Sequence, residues 1–256
     1  MPPTIHLIRH AEGVHNISVD NHGIHDPLLT ERGKQQARDL ATKLAMLQQD
    51  GTVDIGLILA SPLRRTLNTA LIAFEPQLRR NQPGCIHAWP DVQEVSDIPC
   101  DLGSALSVVK AAYGNESVNF GLVEEGWEIK FLYLSWKQQG KYAPTEAALL
   151  ARAQAARQWL KNQPHKDIAV LSHGCFLHFL TDDWEGSNCP NATNWEKTEM
   201  RSFAILDTED DNAALVETAK SRTSRGCANP PPSRQEQRKL RDNALSIWMD
   251  WKILKE

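Results

Sequence analysis

Arg9 and His10 stand side by side at the end of a short apolar run, Ile5-His6-Leu7-Ile8. A planar guanidinium matches phosphate oxygens two at a time. An imidazole beside it attacks phosphorus or relays a proton. Gly13 lets the backbone turn closely past such a site, and Asn16 adds a short amide donor. A second apolar run, Val53 to Ala60, ends in Ser61-Pro62-Leu63-Arg64-Arg65-Thr66. Arg64 and Arg65 thus fall in the first turn after a strand, where outward N–H groups and the helix dipole favour an anion. A third run, Ile168 to Leu171, ends in Ser172-His173-Gly174, and Gly174 allows its N–H to approach a bound anion closely. Between the second and third runs lies an acidic loop with Asp91, Glu94, Asp97 and Asp101. A carboxyl group there is placed to protonate a leaving group. These parts suit phosphoryl transfer: guanidiniums hold the oxygens, one imidazole attacks and a second helps neutralise charge. Arg9, Arg65 and a protonated His173 supply the positive charge, so no metal and no other cofactor is expected.

The elements that must position these groups are legible as an alternation of strands and helices. Buried strands deliver side chains to a sheet edge, and ligands of open α/β sheets bind just beyond the carboxyl ends of strands. Thr30 is the expected N-cap of a helix whose body, Gln35 to Gln49, turns Ala37, Leu40, Leu44 and Leu47 inward. Pro62 fits the first turn of the next helix, with Leu67, Ala70, Leu71 and Phe74 inward. Cys85 to Trp89 reads as a short strand, and Pro144-Thr145-Glu146 opens a helix with Ala147, Leu150, Ala153, Ala156 and Leu160 on one face. Arg201 to Leu206 is the last expected strand. Residues 17–29, with His15, His22, His25, Asp20 and Asp26 at hand, match no compact zinc spacing and read as a solvated loop. Residues 104–142 carry Tyr113, Phe120, Trp127, Phe131, Tyr133, Trp136 and Tyr142, and read as an inserted cap over the site. The expected division is a catalytic domain over 1–217, followed by a linker and C-terminal helix over 218–256, docked by Trp248 and Trp251.

With 256 residues and 41% hydrophobic content, the chain is long enough for a sizeable core. A formal net charge of −4 gives no reason to expect nucleic acid as a partner. No apolar run is long enough to cross a bilayer, so no membrane association is expected. Met1-Pro2-Pro3-Thr4 leads straight into the first strand without a secretory pattern. The five cysteines are dispersed, and reduced thiols in a cytoplasmic protein are the expectation.

Leu7-Ile8-Arg9-His10-Ala11-Glu12, Ser61-Pro62-Leu63-Arg64-Arg65-Thr66 and Ser172-His173-Gly174 resemble, in order and spacing, the signatures of the histidine phosphatase superfamily, in its phosphoglycerate mutase-like branch. The resemblance covers roughly residues 4–207. It implies a three-layer α/β/α sandwich with a mostly parallel central sheet. It implies His10 as the nucleophile that becomes phosphorylated, with Arg9, Arg65 and His173 binding phosphate and Asn16 assisting. Arg65, rather than Arg64, matches the family's arginine. The family's proton donor lies between the second and third segments, where Glu94 is the best match. Because the segment reads Val92-Gln93-Glu94, Asp97 and Asp101 stay open as alternatives. The implied activity is metal-independent hydrolysis of a small phosphorylated metabolite. The longer acid-loop pattern of the family's mutases is missing, which favours a phosphatase over a mutase. A lyase or isomerase acting on a non-phosphate anion in the same pocket stays open, as does a homodimer.

Overall fold

The computed structural model describes residues 2–80, 84–114, 117–130, 140–187, 193–206, 212–227 and 229–255. Among them, seven strands form one sheet: β1 (Thr4–Arg9), β2 (Ile55–Ala60), β3 (Ile86–Ala88), β4 (Val118–Asn119), β5 (Asp167–Ser172), β6 (Met200–Ile205) and β7 (Leu215–Glu217), in the order β4-β3-β2-β5-β1-β6-β7. β1 to β5 run parallel, and β6 and β7 close one edge antiparallel. β1 and β5 lie next to each other at the centre, with Arg9 opposite Ser172. The strand ends carrying His10 and His173 are therefore neighbours, as an open α/β sheet requires for a shared ligand.

Alternation along the strands divides the core between the two faces. Ile5 and Leu7 of β1 and Ile168 and Val170 of β5 pack with α5 (Glu146–Lys161), α6 (Gly174–Thr181) and α8 (Arg234–Asp250). Ile8, Ala169 and Leu171 point to the opposite face, against α1 (Glu31–Gln49), α2 (Arg64–Ala73) and α4 (Leu106–Tyr113). Helices on both faces of one sheet make the three-layer sandwich. The face of α5 is turned from the expected one near its start: Leu149, Arg152 and Ala153 are buried and Leu150 is exposed.

The segment expected as a cap contributes elements of the sandwich itself, α4 and the edge strand β4. Phe131, Tyr133 and Trp136 lie outside the described residues. Part of the expected linker is helical, as α7 (Ala219–Ser224), and the strand β7 precedes it. Ser233 caps α8 with a reciprocal capping box to Glu236. Trp248 anchors this helix in the core, whereas Trp251 is exposed and does not dock it. No helix among the described residues is long and apolar enough to cross a membrane.

The start of α1 is fitted tightly to the first motif. Thr30 caps the helix by accepting the Gly33 N–H at 2.9 Å, and its hydroxyl donates to Glu12 Oε1 at 2.7 Å. A Cβ on residue 33 would lie 2.0 Å from the Glu12 carbonyl oxygen, a distance only glycine avoids. Gly33→Ala is expected to destabilise the fold by about 1–3 kcal/mol, the usual cost of forcing extra volume into a packed contact. Thermal unfolding of the variant checks this, and an unchanged midpoint would contradict it.

Candidate active site

His10 follows β1 directly and is buried. Its Nδ1 donates to the Ala11 carbonyl at 2.6 Å, since a carbonyl only accepts. That fixes the tautomer and leaves the Nε2 lone pair facing the Arg65 Nε–H at 3.3 Å. Burial, with Lys197, Arg65 and His173 nearby, holds the His10 pKa well below the ordinary histidine value. The ring is therefore neutral, with a free lone pair on the side of the guanidinium. The hydroxyl of Thr69, itself bonded to the Arg65 carbonyl, accepts the Ala11 N–H and ties the segment to α2.

His173, the N-cap of α6, lies with its ring centroid 5.0 Å from that of His10. Its Nδ1 accepts from the Arg65 Nη2 at 3.1 Å, so Nε2 carries the proton and donates to Ser61 Oγ at 2.8 Å. Burial and Arg65 lower its pKa well below the ordinary value. In this arrangement Nδ1 faces a guanidinium donor, so the standing positive charge comes from the arginines, and a proton on His173 would have to arrive with an anion.

Arg65 is fully buried at the start of α2 and forms the hub. Its Nε and Nη2 point at the two histidines, while Nη1 donates to the Cys100 carbonyl at 2.6 Å and Nη2 pairs with Asp101 at 2.9 Å. The Cys100 and Asp101 contacts brace one side of the fork and leave its other edge toward the imidazoles. Arg64 points elsewhere. Its backbone N–H and its side chain both bind Asp26, which is buried in left-handed backbone and also accepts from Ser104. The loop read as solvated thus contributes a buried carboxylate, and this pairing takes Arg64 out of the anion site.

Arg9 donates through Nη1 to the Trp195 carbonyl, and its Nε is buried without an acceptor. Asn16 is exposed, and its side-chain oxygen accepts from the Gly13 N–H at 3.1 Å and from Lys197 Nζ at 2.7 Å. His15 is buried with its ring centroid 5.6 Å from that of His10, and its Nδ1 has no partner. Neither His15 nor Lys197 stands out in the sequence. His15 lies five places beyond His10 in the same polar loop, and Lys197 sits in a segment without periodicity.

Glu94 lies at the start of α6, opposite in charge to the cationic cluster. Its carboxylate accepts the N–H groups of Val95 and Phe176 at 3.0 Å and of Cys175 at 3.3 Å. Burial, then Asp101, raise its pKa, against Arg65, the Val95 N–H and Lys130, which lower it. The loop around it is fixed from behind: Lys130 Nζ donates to the carbonyls of Glu94 and Ser96 at 2.7 and 2.5 Å, and Arg152 to that of Gln93 at 2.9 Å. Of the two alternative carboxyls, Asp101 is committed to Arg65 and accepts from Ser96 at 2.6 Å. Asp97 pairs with Lys255. Gly174 has a packing reason to be glycine, because a Cβ there would fall 2.5 Å from Thr193 Cγ2. The N–H groups of the two residues after it hold Glu94.

Residues 5–96 match the family model of the histidine phosphatase superfamily, branch 1. A phosphoglycerate mutase-like protein of Arabidopsis thaliana is 26% identical over 240 residues, covering 80% of this chain and 84% of that protein. A Schizosaccharomyces pombe protein named as a probable phosphatase is 27% identical over 175 residues, covering 67% of this chain and 74% of that one. Among solved structures, the ecdysone phosphate phosphatase of Bombyx mori, determined in complex with tungstate, superposes with a TM-score of 0.54 at 15% identity, over 90% of this chain and 94% of that one. At that identity the likeness shows the fold alone. The matched segment holds the first two motifs, and together with the curated relatives it places residues 5–96 of this chain in likeness to the histidine phosphatase superfamily, with phosphoglycerate mutase-like proteins among the similar sequences.

Proposed function

We propose that this phosphate-ester hydrolase cleaves a small phosphorylated metabolite in two steps through a phosphohistidine on His10. The observation that carries the reading is the His10 imidazole, neutral, with Nδ1–H locked on a carbonyl and the Nε2 lone pair facing the braced fork of Arg65. A phosphoryl group entering there takes over the Nε–H and Nη2–H donors of Arg65, which frees the His10 lone pair. His10 Nε2 then attacks phosphorus in line, and the P–O bond to the leaving group breaks as Glu94, in its acid form, protonates the departing oxygen. In the second step Glu94 as a base takes a proton from water. The hydroxyl oxygen bonds to phosphorus, the P–N bond breaks and inorganic phosphate leaves. Arg9 and Arg65 stabilise the charge gathering on the oxygens, and no step calls for a metal.

A panel of phosphomonoesters, assayed for inorganic phosphate in excess chelator, tests the proposal. Release from at least one ester at a rate unaffected by the chelator is expected. Activity that vanishes with chelation and returns with a divalent cation would overturn the metal-independent reading, and isomerisation of a phosphoglycerate without release would replace hydrolase by mutase.

A further inference from the structure

We propose that Lys197 is a substrate-binding residue whose ammonium group holds the phosphoryl oxygens together with Arg9 and Arg65; this rests on the phosphatase reading above. Lys197 lies between α6 and β6, in a turn fastened to the first motif. The Arg9 N–H donates to the Glu199 carbonyl at 3.2 Å, the Thr198 N–H donates to the Arg9 carbonyl at 3.1 Å, and the Arg9 side chain reaches the Trp195 carbonyl. Thr198 closes the turn at φ 59°, a conformation costly for a β-branched residue and maintained where surrounding structure insists on it. The result is that Lys197 is placed over the same strand end as Arg9.

The ammonium group there lacks a counter-charge. Its partner is the neutral amide oxygen of Asn16, and among the described residues it forms no ion pair. The carboxylates in its surroundings are engaged elsewhere, Glu12 by Thr30 and Arg32, and Glu94 by three backbone N–H groups. Beside it, the buried Arg9 Nε also lacks an acceptor. Arg9 and Lys197, two cations side by side with no ion pair among the described residues and an orphaned donor between them, describe the surroundings of a bound dianion. The charged groups facing Lys197 are Arg9, Arg65, Glu94 and Glu12, with His10 and His15 alongside. Burial, followed by Arg9 and Arg65, brings its pKa down to about 6. An arriving phosphate dianion reverses that balance and favours the protonated amine.

Two readouts test the assignment: calorimetric titration with inorganic phosphate near neutral pH, and kcat/KM on a phosphomonoester, each for Lys197→Met and Lys197→Arg. A lost charge-assisted contact corresponds to roughly a ten- to hundredfold effect. Lys197→Met is expected to weaken phosphate binding and lower kcat/KM by that amount, while Lys197→Arg keeps most of both. Phosphate affinity of Lys197→Met within about twofold of wild type, or an equal loss in the arginine variant, overturns the assignment. If the wild type turns over no ester, the catalytic reading fails, yet the titration still decides whether Lys197 binds phosphate.

Discussion

Replacing His10 by alanine is expected to remove phosphate release almost entirely, by a factor on the order of 10⁴ to 10⁶, as loss of a nucleophile does in enzymes where it forms the covalent intermediate. The wild type, quenched during turnover, should carry a phosphoryl group on nitrogen, recognisable by its stability to base and lability to acid. The variant should carry none. The fold should survive, because the imidazole's hydrogen bonds are to one carbonyl and one guanidinium and its ring neighbours are two other histidines at the sheet edge, not the apolar layers. A thermal midpoint close to wild type, together with retained inorganic phosphate binding, would separate loss of chemistry from loss of structure. Ordinary turnover in His10→Ala would refute the mechanism. The low His10 pKa adds a condition with a definite sign. A histidine whose pKa lies well below 6.5 keeps its lone pair as the medium is acidified through that value, so the acid limb of kcat/KM due to the nucleophile should fall below pH 6.5.

Glu94→Gln is expected to slow hydrolysis of alkyl phosphates by about 10²- to 10⁴-fold, the range of general acid–base catalysis. The effect should depend on the leaving group. With 4-nitrophenyl phosphate, whose phenolate departs without protonation, a burst of nitrophenol should survive, followed by slow steady-state turnover because water is no longer activated. With an alkyl ester both phases should be slow. Asp101→Asn makes the contrast. It weakens the brace on Arg65, and its loss should be the same for good and poor leaving groups. An equal loss of the burst phase in Glu94→Gln for both leaving groups would move the proton to another residue.

The three strand ends could be read from the sequence because each pairs an apolar run with an abrupt polar stop, and both signals are local. Selection between Arg64 and Arg65 was not legible locally. It depends on Asp26, which reaches Arg64 only after the loop folds back over α2. The electrostatic setting of His173 was not legible for a similar reason. Sequence supplies the ring, whereas its neutrality comes from burial and from the Arg65 donor facing Nδ1. Lys197 escaped because a loop residue near a site has no periodicity to announce it, and His15 could be weighed only as one histidine of a polar loop. The strand β4 escaped because two residues are too few for a pattern. At the tail, Ser233 and the helix after it were legible from the capping box, but the exposure of Trp251 required knowing where the helix ends on the body.

The pairing of β5 beside β1 also governs when activity can first arise. A ribosome that has released only the first half of the chain has produced the nucleophile and Arg65 but neither the strand nor the histidine that complete their surroundings. Such long-range docking is slow relative to local helix formation. During refolding, helical circular dichroism should therefore recover before phosphate release, and the delay between the two would time the arrival of that central strand.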